Sequence, residues 1–250
     1  ARVAAQAGVP VAHVEAGVRS DDPEEPWPEE RMRVEIDQLA TWRYAPTAHA
    51  LDNLRAERLD GIVTGNTVVD ALTRYTDATA RAETSATVLI TLHRRELYLR
   101  KDAGGVFDAL CKGATLYPGV TFAWPVHPAT QKLVRKLEPP SNVVLLNPLP
   151  YMALADMLCG ARGVLTDSGG IVEEAATLGV PTAVLRNVTD RPEAEAAGIA
   201  QRFPPTPEGL FSAMRVLVAG AIPRSATSVY GDGGAAKRIA THLASVTGKR

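Results

Sequence analysis

Three observations predict an α/β protein with parallel sheets. Short apolar, β-branched runs alternate with helical patterns along most of the 250 residues. Those runs are apolar at successive positions, as strands covered on both faces are. The stretch Thr76–Ser85, "TDATARAETS", is small, polar and unpatterned, and it divides the alternation in two.

Before the break, strands are expected at Val11–Val14 and Gly61–Thr64, with helices over Glu29–Trp42 and Ala48–Arg58. After it, strands are expected at Thr87–Leu92, Val120–Pro125, Asn142–Leu146, Gly163–Thr166 and Thr182–Leu185. Helical patterns fall between them at Ala103–Leu116, Tyr151–Gly160 and Ile171–Gly179. Five strands in succession suffice for a Rossmann-like domain over residues 77–250, closed by a final helix. Residues 1–76 hold too few strands for a second one. The opening "ARVAAQAGVPVAHVEAG" also lacks a Met and starts as if at the end of a helix. The first domain is therefore expected to be truncated, its N-terminal segment lying outside the sequence.

The composition is 46% hydrophobic and 22% charged with a formal net charge of -1, ordinary for a globular chain. Such a balance leaves no electrostatic footprint for nucleic acid or an anionic membrane. No apolar run approaches the roughly 18 residues of a membrane span. Without a signal-like stretch, the expected location is the cytoplasm. Cys111 and Cys159 have no CxxC spacing and read as buried thiols. No His or acid recurs at ligand spacing on a helix, so neither metal nor cofactor is expected.

The stretch "LTDSGGIVEEAATLGVP", Leu165–Pro181, places a hydroxyl and two glycines where a helix follows a strand. Ligands of open α/β sheets sit beyond the carboxyl ends of strands. A helix starting there offers unpaired N–H groups and a positive dipole end to an oxyanion. Ser168, Gly169 and Gly170 thus read as a phosphate site. Glu173 and Glu174 lie about 100° apart around the helix, so only one can face the same side. An acid one turn on suits ribose hydroxyls. The same residues also read as an Asp/Ser cap with a tight glycine turn, and the residues alone leave both readings open.

"AHVEAGVRSDDPEEPWPEERMR" sets His13, Glu15 and Arg19 at a strand end and Glu29 and Glu30 in a helix's first turn. Paired acids such as Glu15 and Glu29 can divide proton removal and delivery, although a lone "PEE" is also an ordinary cap. "TLHRRE" gathers His93, Arg94, Arg95 and Glu96, a group matching phosphate oxygens or a solvated loop equally well. Arg191 and His127 each follow strand ends. "YGDGGAA" reads as the turn before the last helix.

Taken in order, "HVEAGVRS", "PWPEE", "TGNTVVDAL", "HRRE", "PVH", "TDSGGIVEEA", "TDRPE" and "YGDG" resemble the non-hydrolysing bacterial UDP-N-acetylglucosamine 2-epimerases, from the first residue to about Arg238. The resemblance implies a GT-B-like fold of two Rossmann-like domains with the nucleotide sugar bound between them. It implies that UDP leaves C1 as a proton leaves C2, and that UDP adds back to the glucal intermediate with the proton on the other face. The product, UDP-N-acetylmannosamine, feeds cell-surface polysaccharide synthesis. Glu15, Glu29 and His93 match the family's catalytic residues, with base and acid unassigned between the two carboxylates. Ser168, Gly169 and Gly170 match phosphate ligands, Glu174 the ribose ligand, and Arg191 and His93 residues facing the diphosphate. His93, Arg94, Glu96 and His127 match contacts to a second UDP-N-acetylglucosamine acting as activator. The implied partners are UDP-N-acetylglucosamine and UDP, with a homodimer as a further option.

Three departures stand out. The family's N-terminal segment, on the order of 100 residues, with its "GTRPE" loop and a further catalytic Asp, is not in the sequence. "PVHPAT" lacks the Asn-Pro that often follows the family's histidine. After "AGIA" the usual "LVG" strand is replaced by "QRFPPTPEG", expected to change a loop only. A GT-B glycosyltransferase would share the phosphate and ribose residues but lack the "HVEAG" and "PWPEE" acids. A hydrolysing relative releasing N-acetylmannosamine and UDP, or a non-catalytic UDP-binding fragment, remain the alternatives.

Overall fold

Among the described residues two parallel sheets organise the chain, one of three strands and one of six. The computed structural model describes residues 1–75, 85–99 and 103–248, the side chains of Glu96 and Ala103 excepted. The chain divides into unit 1, Ala1–Arg74 with Ser228–Arg250, and unit 2, Tyr75–Thr227. The linker expected at Thr76–Ser85 lies, apart from Ser85, outside the described residues.

Unit 1 runs α1 (Arg2–Gln6), β1 (Ala12–Val14), α2 (Glu29–Leu39), β2 (Trp42–Ala45), α3 (Ala48–Ala56), β3 (Ile62–Val63) and α4 (Thr67–Tyr75), whose last residue falls to unit 2. Strand β2 is central, flanked in parallel by β1 and β3. The sequence pattern carried the second helix through Trp42. Instead α2 stops when Ala40 turns to extended backbone, and Trp42, Arg43 and Tyr44, two of them aromatic strand formers, enter the sheet. Ala16, Val18, Ala45, Ala50 and Leu54 make the small core.

Unit 2 runs β4 (Thr87–Thr91), α5 (Arg95–Tyr98), α6 (Ala103–Thr115), β5 (Thr121–Pro125), α7 (Gln131–Val134), β6 (Val143–Leu146), α8 (Tyr151–Gly160), β7 (Gly163–Thr166), α9 (Gly169–Leu178), β8 (Thr182–Leu185), α10 (Pro192–Ala196), β9 (Ala200–Phe203) and α11 (Pro207–Ala219). The sheet order is β6-β5-β4-β7-β8-β9, the dinucleotide-fold order with its switch point between β4 and β7. Alternate side chains enter opposite layers. Val88, Ile90 and Leu165 pack with α6 and α11, whereas Leu89 and Val164 pack with Leu158, Ile171 and Ala175 of α8 and α9. Removing a side chain such as Leu89 should cost about 2–5 kcal/mol.

Three expectations are corrected here. The sheet has six strands, not five, because Ala200–Phe203 pairs with β8 in the segment expected to be a loop. Gln201 and Arg202 are exposed on this edge strand while Ala200 and Phe203 are buried, so polar residues fit without loss of the ladder. The end of the chain, α12 (Ala235–Thr247), belongs with unit 1 and not with residues 77–227. Asp70 accepts from the Ala235 and Ala236 amides at 3.0 and 2.9 Å. The Tyr44 hydroxyl meets His242 Nδ1 at 2.9 Å, and Arg238 donates to the Thr64 carbonyl at 3.0 Å. Gly231, at φ +118, lies so close to Gly65 that a Cβ there would stand 3.0 Å from the Gly65 Cα. The cysteines are half-buried rather than buried.

Candidate active site

At the switch point the ends of β4 and β7 are tied together. Thr91 Oγ1 and Thr166 Oγ1 lie 2.6 Å apart. Asp167, directly after β7, is fully buried. Its carboxylate accepts from the His93 amide at 2.9 and 3.1 Å and from the Arg94 amide at 2.8 Å. His93 Nδ1 stands 3.2 Å from the same carboxylate. That contact raises the His93 pKa above its ordinary 6.5, against the opposing effect of partial burial. The residues of "TLHRRE" and "TDSGG", read separately in sequence, therefore form one structure.

Ser168 is the N-cap residue of α9, yet no side chain caps the helix. The cap reading fails for both candidates, since Asp167 is spent on the His93 loop and the Ser168 hydroxyl makes no cap bond. The first-turn N–H groups are left to an outside acceptor. Gly170 adopts an ordinary backbone conformation, and a Cβ added there meets no heavy atom within 4 Å. Nothing in the fold requires glycine at this position, although glycine costs helix stability. A Cβ at Gly169 would lie 3.5 Å from Asp190 Oδ1 and 3.6 Å from Arg191 Cζ.

The two adjacent acids diverge, as their angular separation predicts. Buried Glu173 pairs with the Arg191 guanidinium. Arg191 also donates to the Asp190 carbonyl at 3.0 Å, and Asp190 pairs with Arg186 at 2.6 Å. Arg191 is thus buried and braced by acids at the edge of the glycine turn. Glu174 turns to the other side, where its carboxylate interacts with Tyr151 at the start of α8. Burial pushes the Glu174 pKa up, while the nearby Tyr151 hydroxyl opposes that rise.

In unit 1, Glu15 follows β1 and is half-buried, with φ +66, a conformation rare outside glycine. Such strain is characteristic of functional positions. Glu29 opens α2 and is exposed. Its neighbour Glu30 is buried and accepts from the Ser20 amide at 3.0 Å, fastening the β1–α2 loop to α2. In the same unit Asp37 is wholly buried, bonded to His13 Nδ1 at 2.6 Å, the Gly17 amide at 3.0 Å and Arg19 at 2.7 Å. Arg19 also pairs with Glu57 at 2.7 Å. His13 and Arg19, flagged in sequence as strand-end residues, are held in this network.

His127, exposed after β5, places its ring 5.2 Å from that of His93. Glu96 falls in α5, and its side chain lies outside the described residues. Sequence reasoning missed Asp167, Asp37 and Tyr151. Among the described residues, no group of three or more His, Cys, Asp or Glu could hold a metal ion. Among them, too, no helix is long and apolar enough to cross a membrane.

A Rossmann-like sheet with an uncapped glycine helix start at its switch point defines a nucleotide-binding α/β protein. The UDP-N-acetylglucosamine 2-epimerase family model matches residues 1–244, and the chain belongs to that family. It is 36% identical over 260 residues to a probable UDP-N-acetylglucosamine 2-epimerase of Ralstonia solanacearum, covering 92% of this chain and 68% of that one. Among solved structures it resembles UDP-GlcNAc 2-epimerase from Neisseria meningitidis bound to UDP-GlcNAc, with TM-score 0.87, 31% identity, and 98% and 72% of the two chains covered. It also resembles S. aureus MnaA in complex with UDP, with TM-score 0.89, 30% identity, and 99% and 70% covered. The fold class is GT-B-like α/β with parallel sheets.

Proposed function

We propose that the chain is an isomerase interconverting UDP-N-acetylglucosamine and UDP-N-acetylmannosamine in the cytoplasm, supplying precursors for cell-surface polysaccharide. The observation that carries this reading is the bare, uncapped start of α9 at the switch point, in a chain of this family. Ser168, Gly169 and Gly170 hold phosphate oxygens through the N–H groups, the Ser168 hydroxyl and the helix dipole. Glu174 accepts from the ribose hydroxyls. Arg191 and His93 bring positive charge to the diphosphate.

The chemistry depends on a stabilised leaving group, because the C2 hydrogen becomes acidic only as the C1–O bond breaks. The electron pair of that bond departs with UDP, a carboxylate takes the C2 proton, and a C1–C2 double bond forms. Return of UDP to C1 with a proton on the opposite face of C2 gives the epimer. Donors placed on the diphosphate stabilise its developing charge. Glu15 and Glu29 are the proposed proton carriers, each supplying on the order of 10²–10⁴-fold. The strained backbone of Glu15 supports that role. His93, Arg94, Glu96 and His127 are further proposed to hold a second UDP-N-acetylglucosamine as activator, a reading supported by the adjacent His93 and His127 rings. A homodimer belongs to the same proposal.

Turnover of UDP-N-acetylglucosamine in deuterated water, followed by NMR, tests the reading. The expected result is UDP-N-acetylmannosamine carrying deuterium at C2. Free N-acetylmannosamine with UDP would identify a hydrolase, and an unchanged substrate would reject the enzyme.

A further inference from the structure

We propose that Asp167 is the positioning residue for His93, holding the imidazole by Nδ1 so that Nε2 is the nitrogen offered to a bound diphosphate. The second half of this statement rests on the diphosphate reading of unit 2 given above.

Asp167 concentrates its contacts on one loop. Its carboxylate accepts from the His93 and Arg94 amides and stands 3.2 Å from His93 Nδ1. Its carbonyl accepts from Arg94 Nε at 3.2 Å. A buried carboxylate only accepts, so the proposed pairing puts the hydrogen on Nδ1 in both protonation states. Neutral His93 then presents a bare lone pair at Nε2, and the cation presents Nε2–H. Only the cation can donate to a phosphate oxygen from that nitrogen. The charge of Asp167 favours the cation, the Thr91 backbone assists it, and the neighbouring Arg94 opposes it. The His127 ring lies alongside at 5.2 Å. Because the folded pKa is raised, the cationic pair is complete below the ordinary value of 6.5 and is lost as pH climbs through the raised value. The same residue fixes the backbone between Thr91 and Arg94 against the start of α9, so the imidazole and the glycine helix are placed by one side chain.

Site-resolved NMR titration of His93 without nucleotide tests the pairing in the unsubstituted protein. The expected result is a neutral form with the hydrogen on Nδ1 and a midpoint above 6.5. Asp167→Asn should bring the midpoint to the ordinary value or below and move the neutral hydrogen to Nε2. The affinity for UDP-N-acetylglucosamine, whose diphosphate is esterified at both ends and does not titrate here, should fall about tenfold or more in Asp167→Asn, as for a lost hydrogen bond to a charged group. A neutral His93 with its hydrogen on Nε2, or a midpoint unmoved by Asp167→Asn, overturns the proposal. The titration of the unsubstituted protein decides the matter even where the variant does not fold. His93→Gln separates the two readings: undiminished nucleotide-sugar affinity in that variant, with the expected titration, rejects the diphosphate role while upholding the Asp167 pairing.

Discussion

Tyr151, the first residue of α8, and Glu174, in the second turn of α9, lie close enough for each side chain to shift the other's pKa. Burial and the nearby acid push the Tyr151 pKa up to about 12, so the hydroxyl keeps its proton and remains a donor. The Tyr75 ring packs edge-on against it at 6.4 Å. Glu174→Gln should weaken UDP binding by about 1.5–3 kcal/mol, the worth of a hydrogen bond to a charged group, and leave the affinity for inorganic pyrophosphate unchanged. Because the Glu174 pKa is raised by burial, nucleotide-sugar affinity should climb as pH rises through that value and the carboxylate forms. Calorimetry on the two ligands checks both points, and an equal loss for pyrophosphate and UDP would contradict them.

Gly170 offers a test in which stability and binding move in opposite directions. A Cβ meets nothing there, so Gly170→Ala should stabilise the free protein by up to about 1 kcal/mol. It should at the same time weaken UDP by crowding the helix start, and Ser168→Ala combined with Gly170→Val should abolish the UDP-induced rise in Tm. A glycine kept for folding alone would show the reverse pattern in the melts.

The acids of unit 1 should separate by role. Glu15→Gln and Glu29→Gln are expected to lower kcat by about 10²-fold or more while UDP affinity stays within a few-fold. Glu30→Ala should instead cost about 1–3 kcal/mol of stability, since the Ser20 amide loses its acceptor. Steady-state kinetics beside denaturant titration distinguishes these outcomes.

Asp37 predicts a pH signature. Burial alone would raise its pKa, but the bonds from His13 and Arg19 outweigh burial and hold it below the ordinary 3.8. Its stabilisation is therefore complete above that value and is lost as pH falls through the lowered one. Asp37→Asn should be destabilised by about 3–5 kcal/mol near neutrality, as for one broken member of a buried ion pair. The gap to the unsubstituted protein should close in acid. A gap independent of pH would mean that the charge of Asp37 is not what holds the loop.

Much of this was legible in the sequence, and the failures have local causes. The strands of unit 2 that are buried on both faces stood out as apolar runs, and the glycine pair marked a strand-to-helix junction as a candidate site because glycine is unfavourable in a helix. Trp42–Ala45 was absorbed into the preceding helical pattern, since nothing in the residue types marks where Ala40 turns extended. Ala200–Phe203 escaped because an edge strand exposes its Gln and Arg. Asp167 looked like a helix cap, whereas its carboxylate turns to amides of His93 and Arg94, 74 and 73 residues away in sequence. Local pattern cannot report so distant a partner. Asp37 was hidden in the same way within the helical run of α2, its partners lying on the β1 side.

The central claim is that a diphosphate binds the free amides where α9 begins. Titration of isotopically labelled protein with UDP reads those amides directly. The Gly169 and Gly170 resonances are expected to shift downfield and to gain protection from exchange as UDP saturates. Resonances unmoved at both glycines, with UDP bound and the largest changes elsewhere in unit 2, would contradict it.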